Sequence, residues 1–306
     1  MPTARIAVRI ETPYGNGSSL SLSARVFVPE PYAPGENPIA LFCFPGGGMT
    51  QDYFDLHGHS FAHALTQSGL IVVTFDHAGI GESQAPPDGF ALTARKLAEL
   101  GAAAATEMAK RLRQGTLSPN LPPLANLRMI GVGHSMGAML VTLQQAAYRP
   151  YLALALLGFS TRGLPEVLTP AEQDEAKHAT RNDAYYVNLA RQRFGDQAYA
   201  SFPARQEGLD ALKAASAPLL TVAAMQSMLP NNIAPEAATI DVPLFLAVGD
   251  RDITGRPEAI APRFVSAPST HLLVLENTGH HLFISAAANT LYADLAAWAQ
   301  KIQPPS

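Results

Sequence analysis

The sequence predicts an α/β fold: a mostly parallel central sheet with an N-terminal antiparallel hairpin, helices on both faces and a helical cap insertion. Three observations predict it. Short, nearly continuous apolar runs recur along the chain, as suits strands buried on both faces of a parallel sheet. Segments rich in helix formers fall between them, and alternating strands and helices make a parallel sheet covered on both sides. One interval, residues 160–240, breaks that rhythm and is too long for an ordinary loop.

In chain order, Arg5 to Glu11 and Leu20 to Val28 alternate polar and apolar residues. Tyr14-Gly15-Asn16-Gly17 between them supplies turn residues, so the pair reads as a hairpin. Ile39 to Phe44 is the first continuous apolar run. Ser60 to Gln67 reads as a helix before the second run, Leu70 to Phe75. Thr93 to Gln114 is rich in Ala, Leu, Glu, Lys and Arg, all good helix formers, and precedes the third run, Leu127 to Val132. Met136 to Tyr148 is the helix after it, and Leu152 to Leu157 the next strand. Within the interval, Thr180 to Phe194 and Gly208 to Ala217 read as helices and Pro218 to Pro230 as an apolar piece, together a cap over the strand ends. Pro243 to Val248 and His271 to Leu275 are the last strands. Thr290 to Ile302 closes the chain, with Leu291, Leu295, Trp298 and Ile302 at helical spacing. The expected division is a core in two parts, 1–159 and 241–306, with the cap at 160–240.

Of the 306 residues, 47% are hydrophobic and 15% charged, which argues against disorder and for a large buried core. A net charge of −4 gives no basic surface and argues against a nucleic-acid partner. Cys43 is the single cysteine, so no intrachain disulfide can form. That suits a reducing, cytoplasmic location, with a bacterial periplasm as the alternative. Met1 to Pro13 carries Arg5, Arg9 and Glu11 in an alternating pattern unlike a signal peptide. The longest apolar run, Tyr151 to Phe159, has nine residues, against about 20 for a membrane-spanning helix. The expectation is a soluble protein with no membrane partner.

The chemistry begins at Gly133-His134-Ser135-Met136-Gly137, directly after the third apolar run and before a helix. A turn this tight demands small residues on both sides. It pushes the serine hydroxyl out at the carboxyl edge of the sheet, with the next backbone N–H facing the same space. The helix N-terminus adds partial positive charge where an oxyanion would form. As bare text the pattern is common; the strand before it and the helix after it are what make Ser135 a nucleophile rather than a chance turn residue.

With these residues the chain resembles the α/β-hydrolases, over nearly its whole length except the details of the cap. Ser135 is unlike the epoxide hydrolase and haloalkane dehalogenase branches, which use Asp. The resemblance implies the order nucleophile, acid, base. After the run ending at Val248 comes Gly249-Asp250-Arg251-Asp252, and the family's Gly-x-x-Asp spacing favours Asp252 as the acid, with Asp250 as its rival. A turn aspartate that caps its own backbone is the ordinary use of either. After the last strand, Asn277-Thr278-Gly279-His280-His281 offers the base, His280 following the glycine and His281 competing. His280 would take the Ser135 proton and return it to the leaving group, while the acid orients it.

Pro45-Gly46-Gly47-Gly48-Met49 ends the first apolar run. The family often opens this loop with His-Gly; here Pro45 stands in the histidine's place. The glycines still let backbone approach a ligand closely. Gly47 and Met136 are the expected oxyanion donors, with Gly48 as alternate. No Gly-Lys-Ser/Thr follows these glycines, which argues against phosphate binding, and no dinucleotide fingerprint is present. Asp76-His77-Ala78-Gly79-Ile80-Gly81-Glu82-Ser83 resembles the family's strand-end segment and reads as structural, shaping the loop beside the site. His57, His59 and His63 lack a ligand pattern with carboxylate or Cys and read as surface histidines, so no metal site is expected. Buried in its strand, Cys43 reads as inert.

The resemblance implies a serine hydrolase acting on a small-molecule ester, thioester or lactone, with no metal or other cofactor. Carbon–carbon bond hydrolysis and cofactor-free perhydrolysis are the alternatives on the same residues, and a ligand receptor with little turnover is the alternative of another kind. Phe202, Leu219, Leu220, Val222, Met225, Met228 and Leu229 make the cap apolar, chiefly for its own core. His134, Met225, Met228 and Leu229 are the expected pocket residues, a methionine-rich lining that suits an adaptable apolar site. Arg162 and Arg181 could bring positive charge to the cap, but read as solvent-exposed.

Overall fold

The computed structural model describes residues 3–32, 35–165, 169–170, 206–217, 221–231 and 233–303. The predicted helix from Thr180 to Phe194, and Arg181, Phe202, Leu219 and Leu220, lie outside them. The strands are β1 (Thr3–Gly15), β2 (Ser18–Pro29), β3 (Ile39–Phe44), β4 (Ile71–Phe75), β5 (Arg128–His134), β6 (Ala153–Leu157), β7 (Leu244–Gly249) and β8 (Thr270–Leu275). They form one sheet in the order β1-β2-β4-β3-β5-β6-β7-β8. β1 pairs antiparallel with β2, and β2 antiparallel with β4; from β4 to β8 every pairing is parallel. The helices among the described residues are α1 (Phe61–Gln67), α2 (Ala94–Gln114), α3 (Met136–Tyr148), α4 (Gln206–Ala214), α5 (Val222–Gln226), α6 (Ala234–Ala238) and α7 (Ala288–Lys301).

Alternate residues of each strand feed two apolar layers. Ala40, Phe42 and Phe44 of β3 face α2 and α3, joining Leu97, Met108, Met139 and Leu143. Leu41 and Cys43 face α1 and α7, joining Phe61, Leu65, Leu291 and Leu295. Both faces of β3 are fully buried, which is why its sequence runs apolar without alternation. β8 differs. It is an edge strand, so one of its sides has no neighbour, and Val274 remains 41% exposed although the run reads as a buried strand.

Local signals set the ends of the elements. Ser60 caps α1 by accepting from the His63 N–H, and Thr93 caps α2 by accepting from the Lys96 N–H. Gly115 stops α2 in the left-handed region, at φ 67°. The hairpin turn is tighter than the sequence suggests: Tyr14 and Gly15 stay in β1, leaving Asn16 and Gly17 to turn at φ 49° and 74°. Asn-Gly is the pairing that tolerates positive φ twice in succession.

The described parts of 160–240 lie against the carboxyl ends of the strands. Just beyond α4, the Ala215 carbonyl accepts from the Thr50 N–H at 2.8 Å, and the Ala217 N–H donates to the Gly48 carbonyl at 2.7 Å. Gln226 at the end of α5 accepts from the Ala94 N–H at 2.7 Å. Asn231 and Leu164 close the seam, through Asn231 N–H to Thr161 carbonyl and Leu164 N–H to Met228 carbonyl, both 2.8 Å. Among the described residues no helix is long and apolar enough to cross a membrane.

Candidate active site

Ser135 sits between β5 and α3 at φ 53° and ψ −119°, a conformation that non-glycine residues rarely adopt. Such a residue stores about 1–3 kcal/mol of strain, which the packing around it must hold. Two glycines permit that packing. A Cβ on Gly137 would lie 2.0 Å from the Phe44 carbonyl oxygen, and one on Gly133 would lie 2.3 Å from the Gly137 carbonyl carbon. The turn at Ser135 is therefore pressed directly against the end of β3. The Ser135 N–H donates to the Leu157 carbonyl at 2.8 Å, and its carbonyl accepts from Ala138 and Met139. Serine before a helix ordinarily caps it with the side chain. Here no side-chain cap forms, so Oγ is not committed to the helix.

His280 and Asp252 meet across the carboxyl ends of β7 and β8. His280 Nδ1 lies 2.8 Å from Asp252 Oδ1, with the two side chains 11% and 0% exposed. An ionised carboxylate only accepts, so Nδ1 carries the proton and Nε2 is left free to take one. Burial works to raise the Asp252 pKa, but the charge and hydrogen bond of His280 outweigh it, and the carboxyl falls below its ordinary range. The Thr254 N–H adds a second donor to Oδ1 at 3.2 Å. A Cβ on Gly249 would lie 1.9 Å from the Thr278 carbonyl oxygen, so this glycine lets the two loops touch.

Asp250 has another task. It is exposed and accepts from the Thr278 N–H at 3.0 Å, capping the loop that carries His280 as a turn aspartate does. His281 is buried and packs on Tyr53 and His134, with centroids 5.8 and 5.9 Å away. Of each rival pair, Asp252 and His280 are the two brought together. Ser135 Oγ makes no hydrogen bond to His280 among the described residues; in unliganded sites such bonds often form only with substrate in place. His280 lies beside Gly158, where a Cβ would come within 3.3 Å of His280 Cε1, and the Ser135 backbone is bonded to the preceding residue, Leu157.

The glycine loop lies opposite. A Cβ on Gly46 would be 3.4 Å from Ser135 Cβ, and one on Gly47 would be 3.7 Å from Met136 Sδ. Among the described residues the backbone N–H groups of Gly47 and Met136 donate to no backbone carbonyl. The loop is braced from below by a residue whose role the sequence did not reveal. His77 Nε2 donates to the Pro45 carbonyl at 2.9 Å, on a ring only 4% exposed. Burial lowers the His77 pKa to about 4, so the ring stays neutral and keeps one N–H to give. The preceding Asp76 is the hub of the adjacent loop: it accepts from the Gln51 N–H at 2.7 Å, Gln51 Nε2 at 2.9 Å and the Glu82 N–H at 2.9 Å. Burial raises the Asp76 carboxyl, and these donors hold it. Asp76 and His77 had a signal, polar residues ending a buried strand. Gln51 had none.

The expected pocket residues do not share one surface. His134 is corrected: it is 1% exposed and packed beneath His280, with centroids 4.7 Å apart, rather than lining a substrate cleft. Leu229 lines a cleft of about 360 Å³ with Met139, Leu143, Gln226 and Ile233, whose wall contains none of Ser135, Asp252 and His280. Met225 and Met228 are buried, at 6% and 9% exposure, in the segment whose Ala224 Cβ faces Gly47. Arg162 packs beside Gly255. His57, His59 and His63 border an open cleft of about 810 Å³ between α1 and α7. Among the described residues, no group of three or more His, Cys, Asp and Glu could hold a metal ion. Cys43 is buried, and burial pushes its thiol upward, so it stays protonated.

A model of the alpha/beta hydrolase family matches residues 41–293, well over half the chain. The chain is also similar to solved structures. One is a thermophilic esterase from Thermogutta terrifontis, at 13% identity over 96% of this chain and 99% of that one, with a TM-score of 0.68. Another is an esterase from Rhodococcus sp., at 15% identity over 96% and 99%, with a TM-score of 0.66. A third is a proline iminopeptidase from Mycobacterium smegmatis, at 18% identity over 96% and 98%, with a TM-score of 0.63. At such identities the likeness is one of fold. No curated protein matches the sequence.

Proposed function

We propose that this chain, which belongs to the alpha/beta hydrolase family, is a serine hydrolase that cleaves small-to-medium, mostly apolar carboxylic esters, thioesters or lactones through an acyl-enzyme. The observation that carries this reading is the 2.8 Å pairing of a buried Asp252 with His280, set at the same sheet edge as a Ser135 whose hydroxyl does not cap its helix. Two of the similar solved structures are esterases, which supports the same class.

Ser135 Oγ would attack the acyl carbon while His280 Nε2 takes its proton. The buried Asp252 carboxylate favours the imidazolium that forms and keeps Nδ1 as donor. The tetrahedral oxyanion would be met by the Gly47 and Met136 N–H groups, with Gly48 as alternate, at the positive end of α3. One such donor is worth about 10²–10³ in rate. His280 then protonates the leaving group, and water, activated by the same imidazole, frees the acid. This chemistry requires no metal or cofactor.

The apolar, methionine-bearing segment around Met225 and Met228 supports an uncharged acyl group, since a buried anion would need cationic partners. Residues 160–240 act as the cap in this reading, and the protein works in the cytoplasm on a small molecule, not on a polymer.

The test is active-site labelling with a fluorophosphonate, together with turnover of p-nitrophenyl esters of graded chain length and of lactones. Wild type should label once per chain and turn over the shorter neutral esters. Ser135→Ala should do neither, at a loss of at least about 10⁴-fold. Turnover near the wild-type rate in Ser135→Ala would remove Ser135 from the mechanism. Labelling without turnover on any substrate would favour a ligand receptor.

A further inference from the structure

We infer that His134 is a positioning residue, an Nε2–H donor that fixes the base-bearing loop relative to the nucleophile. The inference rests on the serine hydrolase reading above and assigns a task within that site to a residue that neither attacks nor transfers a proton.

The geometry points there from three sides. His134 is the last residue of β5, so its backbone is continuous with Ser135. Its Nε2 lies 2.8 Å from the His280 carbonyl oxygen. A carbonyl can only accept, so Nε2 carries a proton. Nδ1 is buried without a hydrogen-bond partner and faces Gly46, where a Cβ would come within 3.0 Å. One ring thus touches the residues flanking all three functional segments: the nucleophile turn by its own chain, the base loop by a hydrogen bond, and the glycine loop by contact.

The contact also selects the protonation state. A second proton, on Nδ1, would be a buried donor without an acceptor, an arrangement that is costly in a low-dielectric interior. The titratable groups facing the ring are Tyr53, His280, His281 and Asp252. Burial and the nearby His280 hold the His134 pKa down to about 3. His134 therefore keeps its single N–H on the His280 carbonyl at neutral pH.

His280 reaches Asp252 through a ring whose backbone carbonyl His134 holds. Loss of that hydrogen bond lets the loop drift, and misplacement of a reacting group by about 1 Å can cost about 10²-fold in rate. Substrate binding does not involve the bond, so the loss should fall on kcat.

The experiment compares His134→Phe, which keeps a flat ring without a donor, with His134→Gln, which keeps a donor. His134→Phe should lower kcat for a p-nitrophenyl ester by about 10²-fold with little change in KM, and slow fluorophosphonate labelling in parallel. His134→Gln should recover most of that loss. On the wild-type protein, ring ¹⁵N spectra should show His134 as the Nε2–H tautomer from pH 5 to 9, whatever the variants do. The downfield proton between His280 and Asp252 should broaden or shift in His134→Phe. Equal rates in wild type and His134→Phe, equal losses in both variants, or an Nδ1–H or doubly protonated His134 would overturn the inference. Labelling that persists in Ser135→Ala would instead overturn the underlying reading, so the two failures are distinct.

Discussion

Acid should unfold this protein through two histidines that the fold keeps neutral. His77 and His134 are 4% and 1% exposed, and burial holds their pKa values down to about 4 and about 3. In the unfolded chain each returns to about 6.5. The unfolded state therefore binds more protons than the folded state between those limits, and stability rises with pH across that window. For His77 the gain runs from about pH 4 to 6.5, and for His134 from about pH 3 to 6.5; above that both are flat. With 1.36 kcal/mol per pH unit for each group, lowering the pH from 7 to 5 should remove about 2 kcal/mol per histidine, about 4 kcal/mol together. Against a total of about 5–15 kcal/mol for a folded domain, that is a large fraction.

Urea unfolding at pH 7 and pH 5 measures it, on wild type and on His77→Gln and His134→Gln, each of which keeps a neutral donor. Each substitution should shrink the pH 7 to pH 5 difference by about 2 kcal/mol. Single variants are needed because Asp76, whose carboxyl burial raises, works in the opposite sense as pH increases. Asp252 does not enter this window: its depressed pKa contributes stability above about pH 3.9 that is lost only as pH falls further. A pH 7 to pH 5 difference unchanged in both variants would mean that neither ring is buried neutral, and the bracing roles argued for them would fall with it.

Asp252→Asn should lower kcat by about 10⁴-fold, since asparagine cannot stabilise the imidazolium and favours the wrong tautomer. Asp250→Asn should cost far less, because Asp250 caps the Thr278 N–H at the surface and does not meet His280; an inactive Asp250→Asn beside an active Asp252→Asn would invert the assignment. Gly137→Ala should destabilise the protein by about 1–3 kcal/mol and disable the site, because its Cβ would fall 2.0 Å from the Phe44 carbonyl and displace the glycine loop. A Gly137→Ala protein with wild-type melting and turnover would refute that packing. Turnover should survive a strong chelator, since the serine mechanism draws on no divalent ion; loss on chelation with recovery on added zinc or manganese would refute it.

The sheet was legible because burial on both faces writes itself into sequence as uninterrupted apolar runs. β3 and α3 fall where those runs and the helix formers put them, Ile39–Phe44 and Met136–Tyr148. β8 was legible as a strand but not as an edge, because a run such as His271 to Leu275 does not record whether a neighbour lies beyond it. The places of Ser135, Asp252 and His280 at the sheet edge were legible for a different reason. Each stands just past the carboxyl end of a strand, where the chain must turn, and the turn leaves a trace in small residues: Gly133 and Gly137 around the serine, Gly249 before the aspartate, Gly279 before the histidine.

Nothing comparable marks the residues that hold those loops in place. His134 reads as a neighbour of the nucleophile and invites a pocket role, yet alternation along β5 turns its ring away from Ser135 and under the base loop. His77 reads as part of a strand-end segment, and only three-dimensional proximity gives it the Pro45 carbonyl at 2.9 Å. Both donors act on backbone carbonyls, and a carbonyl has no residue identity for a sequence pattern to record. Pro45 makes the consequence concrete. At the position where the family often carries a histidine, this chain has a residue that cannot donate, and the carbonyl of that same residue is held by a histidine more than 30 positions later. An imidazole donor does stand beside the glycine loop, and it comes from just past the end of β4, so a reading confined to the loop finds only a departure from pattern.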